Sequence, residues 1–266
     1  MADTPYRGQT LSDVARQAAA GYEPRVRVEG GAGPPLIFVP GMDGTGRLFH
    51  TQVPLLARHF RVATYALRDD ADGMETLVDD LRRALDALAP DGEPAVVVAE
   101  SFGGTVAMSF ALAHPERVRQ LVVVNSFSRL RSPAQLRLAI AATRIMPWRL
   151  MGAFRRLTVA RLHSPDTPPA EISYFLEQTK GVSKRAYLSR LRILAEYDLR
   201  SRLGELRVPT LFLASSQDRL VPAVEEASYM AARVPGAALR ILAARGHRCL
   251  IAPGVDLGQI IREWRG

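Results

Sequence analysis

The chain has 266 residues and carries 35 lysines and arginines against 27 aspartates and glutamates, a formal net charge of +8. Such a length holds one large core, or one core with an inserted subdomain, and no apolar run approaches the ~20 residues needed to span a bilayer. A single cysteine, Cys249, excludes an internal disulfide and any cysteine-based zinc site and fits a reducing, cytoplasmic compartment.

The first residues, Met1 to Pro5, offer neither a cationic nor an apolar leader, so no secretory signal is expected. A short helix is expected over Leu11 to Ala20. Arg25 to Glu29 alternates as a half-exposed strand does, and Leu36 to Val39 is a short apolar run ending in Pro40-Gly-Met-Asp-Gly-Thr-Gly46. Arg47 to Arg58 reads as one helix, Arg61 to Ala66 as a strand and Met74 to Leu88 as a strongly amphipathic helix. Ala95 to Ala99 is a buried strand, Phe102 to Ala113 a buried helix and Leu121 to Asn125 another strand. Strands and helices alternating at this spacing predict βαβ units, a parallel sheet and helices on both faces.

The alternation stops from Ser128 to Tyr197, where only helical periodicity is found, broken by Pro133, Pro147, Ser164 to Pro169 and Gly181. It resumes with a strand over Leu206 to Ser215, a helix over Ala223 to Val234, a strand over Ala238 to Leu242 and a closing helix over Val255 to Trp264. Residues 1–127 and 198–266 thus read as one α/β core and residues 128–197 as a helical lid inserted after a strand. The carboxyl ends of parallel strands are where such sheets bind ligands, and the lid would cover that edge.

Ser101 stands between the buried strand and the buried helix, with Ala99 two residues before it and Gly103 and Gly104 after it. Small neighbours let strand and helix approach closely, and the sharp turn pushes the hydroxyl into the open at the helix N-terminus, where free N–H groups favour negative charge. The alternative is a tight turn with an idle serine. A hydroxyl nucleophile needs a base, and the base an acid to fix its tautomer. Asp218 follows the strand ending at Ser215, and His247 follows the strand ending at Leu242, so both fall at the edge where Ser101 lies. Asp218 could instead be a turn residue before the helix. His59 and His114 sit at helix ends, His163 in the lid and His50 within a helix, and these four read as surface or capping residues. An oxyanion needs two fixed donors: the backbone N–H of Phe102 and that of Met42, in a loop shaped by Gly41, Asp43, Gly44 and Thr45. Thr45 offers a further hydroxyl donor. A plain glycine-rich turn is the alternative there. Cys249 reads as a small core residue rather than a reactive thiol.

The order serine, aspartate, histidine, with the strand–serine–helix setting, resembles the α/β-hydrolase superfamily of serine esterases, lipases and thioesterases from about Leu36 onward. Pro40 to Gly46 together with Glu100 to Gly104 is similar to the hydrolase part of phytyl ester synthase-like proteins. Ala99 replaces the usual first glycine, and Pro40 stands where a histidine often precedes the oxyanion-loop glycine. The resemblance implies an α/β-hydrolase fold with Ser101, Asp218 and His247 as nucleophile, acid and base. It also implies an acyl-enzyme reaction on a carboxylic ester or thioester, with no metal or cofactor. An acyltransferase with the same triad and a non-catalytic binding protein are the rival expectations.

The charge is local. Residues 128–197 hold thirteen cations against four acids, a net charge of +9 that leaves the rest of the chain at −1. This basic lid could be a solvated arginine-rich surface, could attract an anionic acyl-carrier protein, acyl-CoA or carboxylate ester, or could rest on anionic lipid. Nucleic acid is disfavoured because no aromatics interleave with the arginines. Apolar lid residues, Trp148, Met151 and Phe154 foremost, could line an acyl pocket or merely pack lid helices together.

Overall fold

A computed structural model of the protein describes residues 24–130 and 133–264, so the helix expected over Leu11 to Ala20 lies outside the described residues. The chain begins with β1 (Val26–Gly30), β2 (Pro35–Val39), α1 (Val53–Leu56), β3 (Arg61–Tyr65) and α2 (Met74–Leu88). Next come β4 (Ala95–Glu100), α3 (Phe102–Ala113) and β5 (Val118–Val124). Among the described residues four helices follow without a strand: α4 (Pro133–Ile145), α5 (Met151–Leu162), α6 (Pro169–Thr179) and α7 (Lys184–Glu196). The chain then resumes alternation with β6 (Thr210–Ser215), α8 (Ala223–Ala231), β7 (Ala238–Leu242) and α9 (Leu257–Glu263).

The seven strands form one sheet in the order β1-β3-β2-β4-β5-β6-β7, parallel throughout except for β1, which pairs antiparallel with β3. Strand β4 is central, paired through Val97 with Ile37 of β2 and with Leu121 of β5. All six of its residues are buried, as a strand covered on both faces requires. Alternate residues feed two cores. Ile37, Val97 and Val123 face Leu81 of α2, Phe110 of α3 and Met230 of α8, whereas Phe38, Val96 and Val122 face Leu56 of α1 and Ile260 of α9. Each fully buried leucine, valine or phenylalanine in these layers contributes roughly 1.5–3 kcal/mol.

Helix α2 shows why the amphipathic reading succeeds. Leu77, Leu81, Ala84, Leu85 and Leu88 recur at helical spacing and are buried. The outward face instead carries Asp79, Arg82, Arg83 and Asp86 in i,i+3 and i,i+4 ion pairs. The single helix expected over Arg47 to Arg58 is broken: a 3-10 turn spans Arg47–Phe49, and α1 is only four residues long. Pro54 is the cause, since it has no N–H to donate to the carbonyl four residues back. Strand β6 also starts later than the Leu206 expected, at Thr210, just beyond Pro209.

Helices α4 to α7 join the carboxyl end of β5 to β6, with only a 3-10 turn over Arg200–Glu205 before that strand. Helix α7 packs against α4, and its Ser183 caps it by accepting from the N–H of Ala186 at 3.0 Å. No described helix is long and apolar enough to cross a membrane.

Candidate functional site

The turn from β4 into α3 carries Ser101 at φ 56°, ψ −122°, a left-handed backbone that a non-glycine residue rarely adopts. Neighbouring groups enforce it. The Ser101 N–H donates to the Val124 carbonyl at 2.9 Å, and the Ser126 hydroxyl donates to the Ser101 carbonyl at 2.7 Å. Gly103 supplies the close approach, since a Cβ there would lie 2.2 Å from the Val39 carbonyl oxygen. Ala99 is fully buried without distorting the register, opposite Val39 and Val123.

His247 and Asp218 reach this turn from the loops after β7 and β6. The Ser101 Oγ lies 3.0 Å from His247 Nε2, and His247 Nδ1 lies 2.7 Å from Asp218 Oδ2. In the tautomer these contacts favour, the serine hydroxyl donates to Nε2 while Nδ1–H donates to the carboxylate. The second carboxylate oxygen of Asp218 accepts the backbone N–H groups of Leu220, at 2.8 Å, and Val221, at 3.0 Å. Both side chains are almost fully buried. The glycine before His247 has a packing reason, because a Cβ on Gly246 would sit 2.7 Å from the His163 carbonyl. His163 itself is buried between its bond to the Val159 carbonyl and the edge of Phe175. That corrects the expectation of a surface residue, and burial pushes its pKa down.

The loop after β2 lies against the serine: a Cβ on Gly41 would be 3.4 Å from the Ser101 Cβ. The Gly44 N–H closes the turn onto the Gly41 carbonyl at 2.9 Å. Arg190 of α7, nearly inaccessible to solvent, reaches over this loop and donates to the Met42 carbonyl at 2.8 Å. Gly44 lies under the same guanidinium, which a Cβ would meet at 2.3 Å. Thr45 differs from expectation: its hydroxyl donates to Asp43 Oδ1 at 2.8 Å and is thereby committed within the loop. Phe102 is the first residue of α3, where helix geometry leaves the backbone N–H without an intrahelical acceptor.

Two supporting groups were missed by sequence reasoning. Asn125, at φ 47° after β5, donates to the His247 carbonyl at 2.7 Å and to Ser215 Oγ at 2.9 Å, and accepts from the Ser215 N–H at 2.8 Å. It ties the histidine loop to two strands. The second is an ion cluster behind the serine: Arg248 Nη1 lies 2.8 Å from Glu100 Oε2 and 3.7 Å from Asp43 Oδ2. Burial raises the Glu100 pKa, and the Arg248 charge pulls it back. The signal in each case is a polar residue closing an apolar strand run, Asn125 after three valines and Glu100 after Ala99.

A cavity of about 340 Å³ opens onto Ser101 and His247. Its apolar wall includes Met42, Met151, Phe154 and Phe175, and its polar groups include Arg155 and Tyr187. Trp148 stands off this wall, its indole N–H bonded to the Val182 carbonyl at 3.0 Å and its ring 6.0 Å from that of Tyr187. Other apolar residues of the inserted helices, Leu138 and Ile145 of α4 and Leu157 of α5, point to solvent. Cys249 is buried beside Asn125, and burial pushes its thiol pKa up to about 12. Among the described residues, no group of three or more His, Cys, Asp or Glu side chains could hold a metal ion.

A model of the "Alpha/beta hydrolase family" matches residues 36–256. The chain is 30% identical over 257 residues to the pimeloyl-[acyl-carrier protein] methyl ester esterase of Photobacterium profundum, covering 88% of this chain and 95% of that one. It is 31% identical over 209 residues to RutD of Azorhizobium caulinodans, named as a candidate carbamate hydrolase, covering 72% of this chain and 76% of that protein. Against the polyketide synthase ThaQ of Burkholderia thailandensis it is 27% identical over 240 residues, but it spans only 11% of that protein's length. Among solved structures, a thermophilic esterase from Thermogutta terrifontis superimposes with a TM-score of 0.78 at 26% identity, over 90% of this chain and 92% of that one. The chain belongs to the alpha/beta hydrolase family.

Proposed function

We propose that this alpha/beta hydrolase is a serine hydrolase of carboxylic esters or thioesters, with Ser101 as nucleophile, His247 as base and Asp218 as the acid that orients it. The observation that carries the reading is the unbroken relay from Ser101 Oγ to His247 Nε2 and from His247 Nδ1 to Asp218, at 3.0 Å and 2.7 Å. In the first half-reaction the Ser101 oxygen bonds to the acyl carbon while its proton moves to His247 Nε2. The tetrahedral oxyanion is received by the N–H groups of Phe102 and Met42, each such donor contributing about 2.7–4 kcal/mol. Collapse breaks the bond to the leaving alcohol or thiol, which takes the proton back from His247. Water, deprotonated by His247, then attacks the acyl-enzyme, and the serine recovers its proton as the acid leaves.

Residues 1–127 and 198–266 act in this reading as the core, and residues 128–197 as a lid whose Met151 and Phe154 form part of the acyl wall. Trp148 braces that wall through Tyr187. The relative named for a methyl ester on an acyl-carrier protein supports an ester donor and leaves room for an acidic carrier at the basic lid.

The test is a series of p-nitrophenyl esters and matched thioesters, from acetyl to dodecanoyl, with wild type beside Ser101→Ala. Turnover confined to the wild type, with an optimum set by a pocket of about 340 Å³, is expected. Added alcohol that diverts the acyl group into a new ester would shift the reading to acyl transfer. A folded wild type that turns over none of the series would favour a binding role.

A further inference from the structure

We infer that the cavity selects esters or thioesters carrying an anionic group, and that the Arg155 guanidinium is the residue that reads it. The inference rests on the hydrolase reading above and specifies its substrate class. Arg155 belongs to α5 and lines the same cavity as Ser101 and His247. It is not a freely solvated surface cation: it is partly buried, and its Nη1 donates to the Thr179 carbonyl, which fixes the plane of the fork. Five N–H donors belong to a guanidinium, and that carbonyl is its one hydrogen-bonding partner among the described residues. Desolvation lowers its pKa, with the neighbouring Tyr187 and Asp43 opposing the shift.

The charge balance of the cavity points the same way. Its lining holds Arg155, Arg161, Arg219 and Arg248 against a single carboxylate, Asp43. Asp43 is already engaged by the Thr45 hydroxyl and by Arg248, and Arg248 by Glu100. Among the described residues no carboxylate lies within ion-pair distance of Arg155, Arg161 or Arg219, so the cavity keeps an unanswered positive charge. Arg161 and Arg219 are exposed, whereas Arg155 is set among Met151, Phe154 and Phe175. A partly buried guanidinium in an apolar wall costs free energy until an anion meets it, and the Tyr187 hydroxyl beside it is a second donor. The ligand this fits has apolar methylenes for the wall and an anionic group for the fork. That group is either a carboxylate on the acyl chain or a phosphate on the leaving group, and the fork suits both.

The experiment uses two matched pairs of substrates. p-Nitrophenyl hexanoate against the mono-p-nitrophenyl ester of adipic acid varies a carboxylate on the acyl side. The N-acetylcysteamine thioester of butyrate against butyryl-CoA varies phosphate on the leaving side. For each pair the ratio of kcat/KM, anionic over neutral, is measured in wild type, Arg155→Gln, Arg155→Lys and the exposed control Arg156→Gln. Wild type is expected to favour the anionic member of one pair. Arg155→Gln should cut that ratio about 10- to 100-fold, the size of one lost charge-assisted hydrogen bond, mainly through KM. Arg155→Lys, which keeps the charge and loses the fork, should fall between, and it carries the test if Arg155→Gln does not fold. Arg156→Gln, off the cavity, should leave the ratio within two-fold. The pair that responds identifies the source of the anion. Ratios near one in wild type, or unchanged by both Arg155 variants, overturn the inference while leaving a working esterase. Failure to turn over all four substrates overturns the hydrolase reading with it.

Discussion

Replacing Arg248 by Met removes the cation that sits between two carboxylates behind the serine. Its Nη1 is 2.8 Å from Glu100 Oε2 and 3.7 Å from Asp43 Oδ2, and all three side chains are less than a tenth exposed. At an effective dielectric of 20 these contacts represent roughly 6 and 4–5 kcal/mol of gross attraction, much of it cancelled by desolvation. Removing only the cation strands the carboxylates, a loss of about 3–5 kcal/mol, or a melting temperature lower on the order of 10 °C for a chain of this size. Glu100→Gln added to Arg248→Met withdraws one stranded charge, so the double variant should melt higher than Arg248→Met alone. Glu100 is bonded directly to Ser101, Arg248 to His247, and the Arg248 N–H holds the Leu162 carbonyl of α5 at 2.7 Å. A displacement of 1 Å at such a site can cost about 100-fold in rate, so kcat should fall about 10- to 100-fold. Circular-dichroism melts and ester kinetics on the single and double variants measure both effects. Arg248→Met within about 1 kcal/mol of wild type, or a double variant no more stable than the single, would refute the reasoning.

Other outcomes follow from the same geometry. Ser101→Gly should be more stable than Ser101→Ala by about 1 kcal/mol, because glycine tolerates φ 56° and alanine does not; both should be inactive, and paired denaturant melts decide it. Gly103→Ala should lose about 1–3 kcal/mol through the clash with the Val39 carbonyl, visible in the same melts. Asp80, buried against Arg68, is raised from 3.8 to about 6, burial outweighing the guanidinium. The folded state therefore holds a proton that the unfolded state releases, so the Asp80 contribution is fully present below pH 3.8 and is lost as pH rises through about 6. Asp80→Asn should flatten stability against pH across that window, and an unchanged slope would contradict the assignment. Cys249, its thiol raised to about 12 by burial, should resist iodoacetamide at pH 8 until the protein is unfolded.

How much of this was legible in the sequence depends on the range of the interaction. The sheet, its two cores and the placing of Ser101, Asp218 and His247 at one edge follow from periodicity and chain order, because strand ends are set by local apolar runs. The break at Pro54 was equally local and could have been read from the missing N–H. The Arg190 grip on the Met42 carbonyl could not, since it spans 148 residues and its helix shows only an ordinary amphipathic pattern. Thr45 went to Asp43 rather than toward the serine because an acid two residues away is the nearer acceptor. His163 was misread because its burial comes from the contact of α5 and α6 with the Gly246 loop, which no spacing along the chain announces. Among the lid hydrophobics, Met151 and Phe154 meet the cavity while Leu157, one turn on from Phe154, faces solvent. The weak periodicity of that helix gave no way to separate them.

The measurement that bears most directly on the account is labelling of the folded protein with a fluorophosphonate, followed by peptide mass spectrometry. The geometry predicts a single adduct on Ser101, formed rapidly in wild type, slowed by orders of magnitude in His247→Ala and absent in Ser101→Ala. A folded wild type that stays unlabelled, or an adduct on a residue other than Ser101, would contradict it.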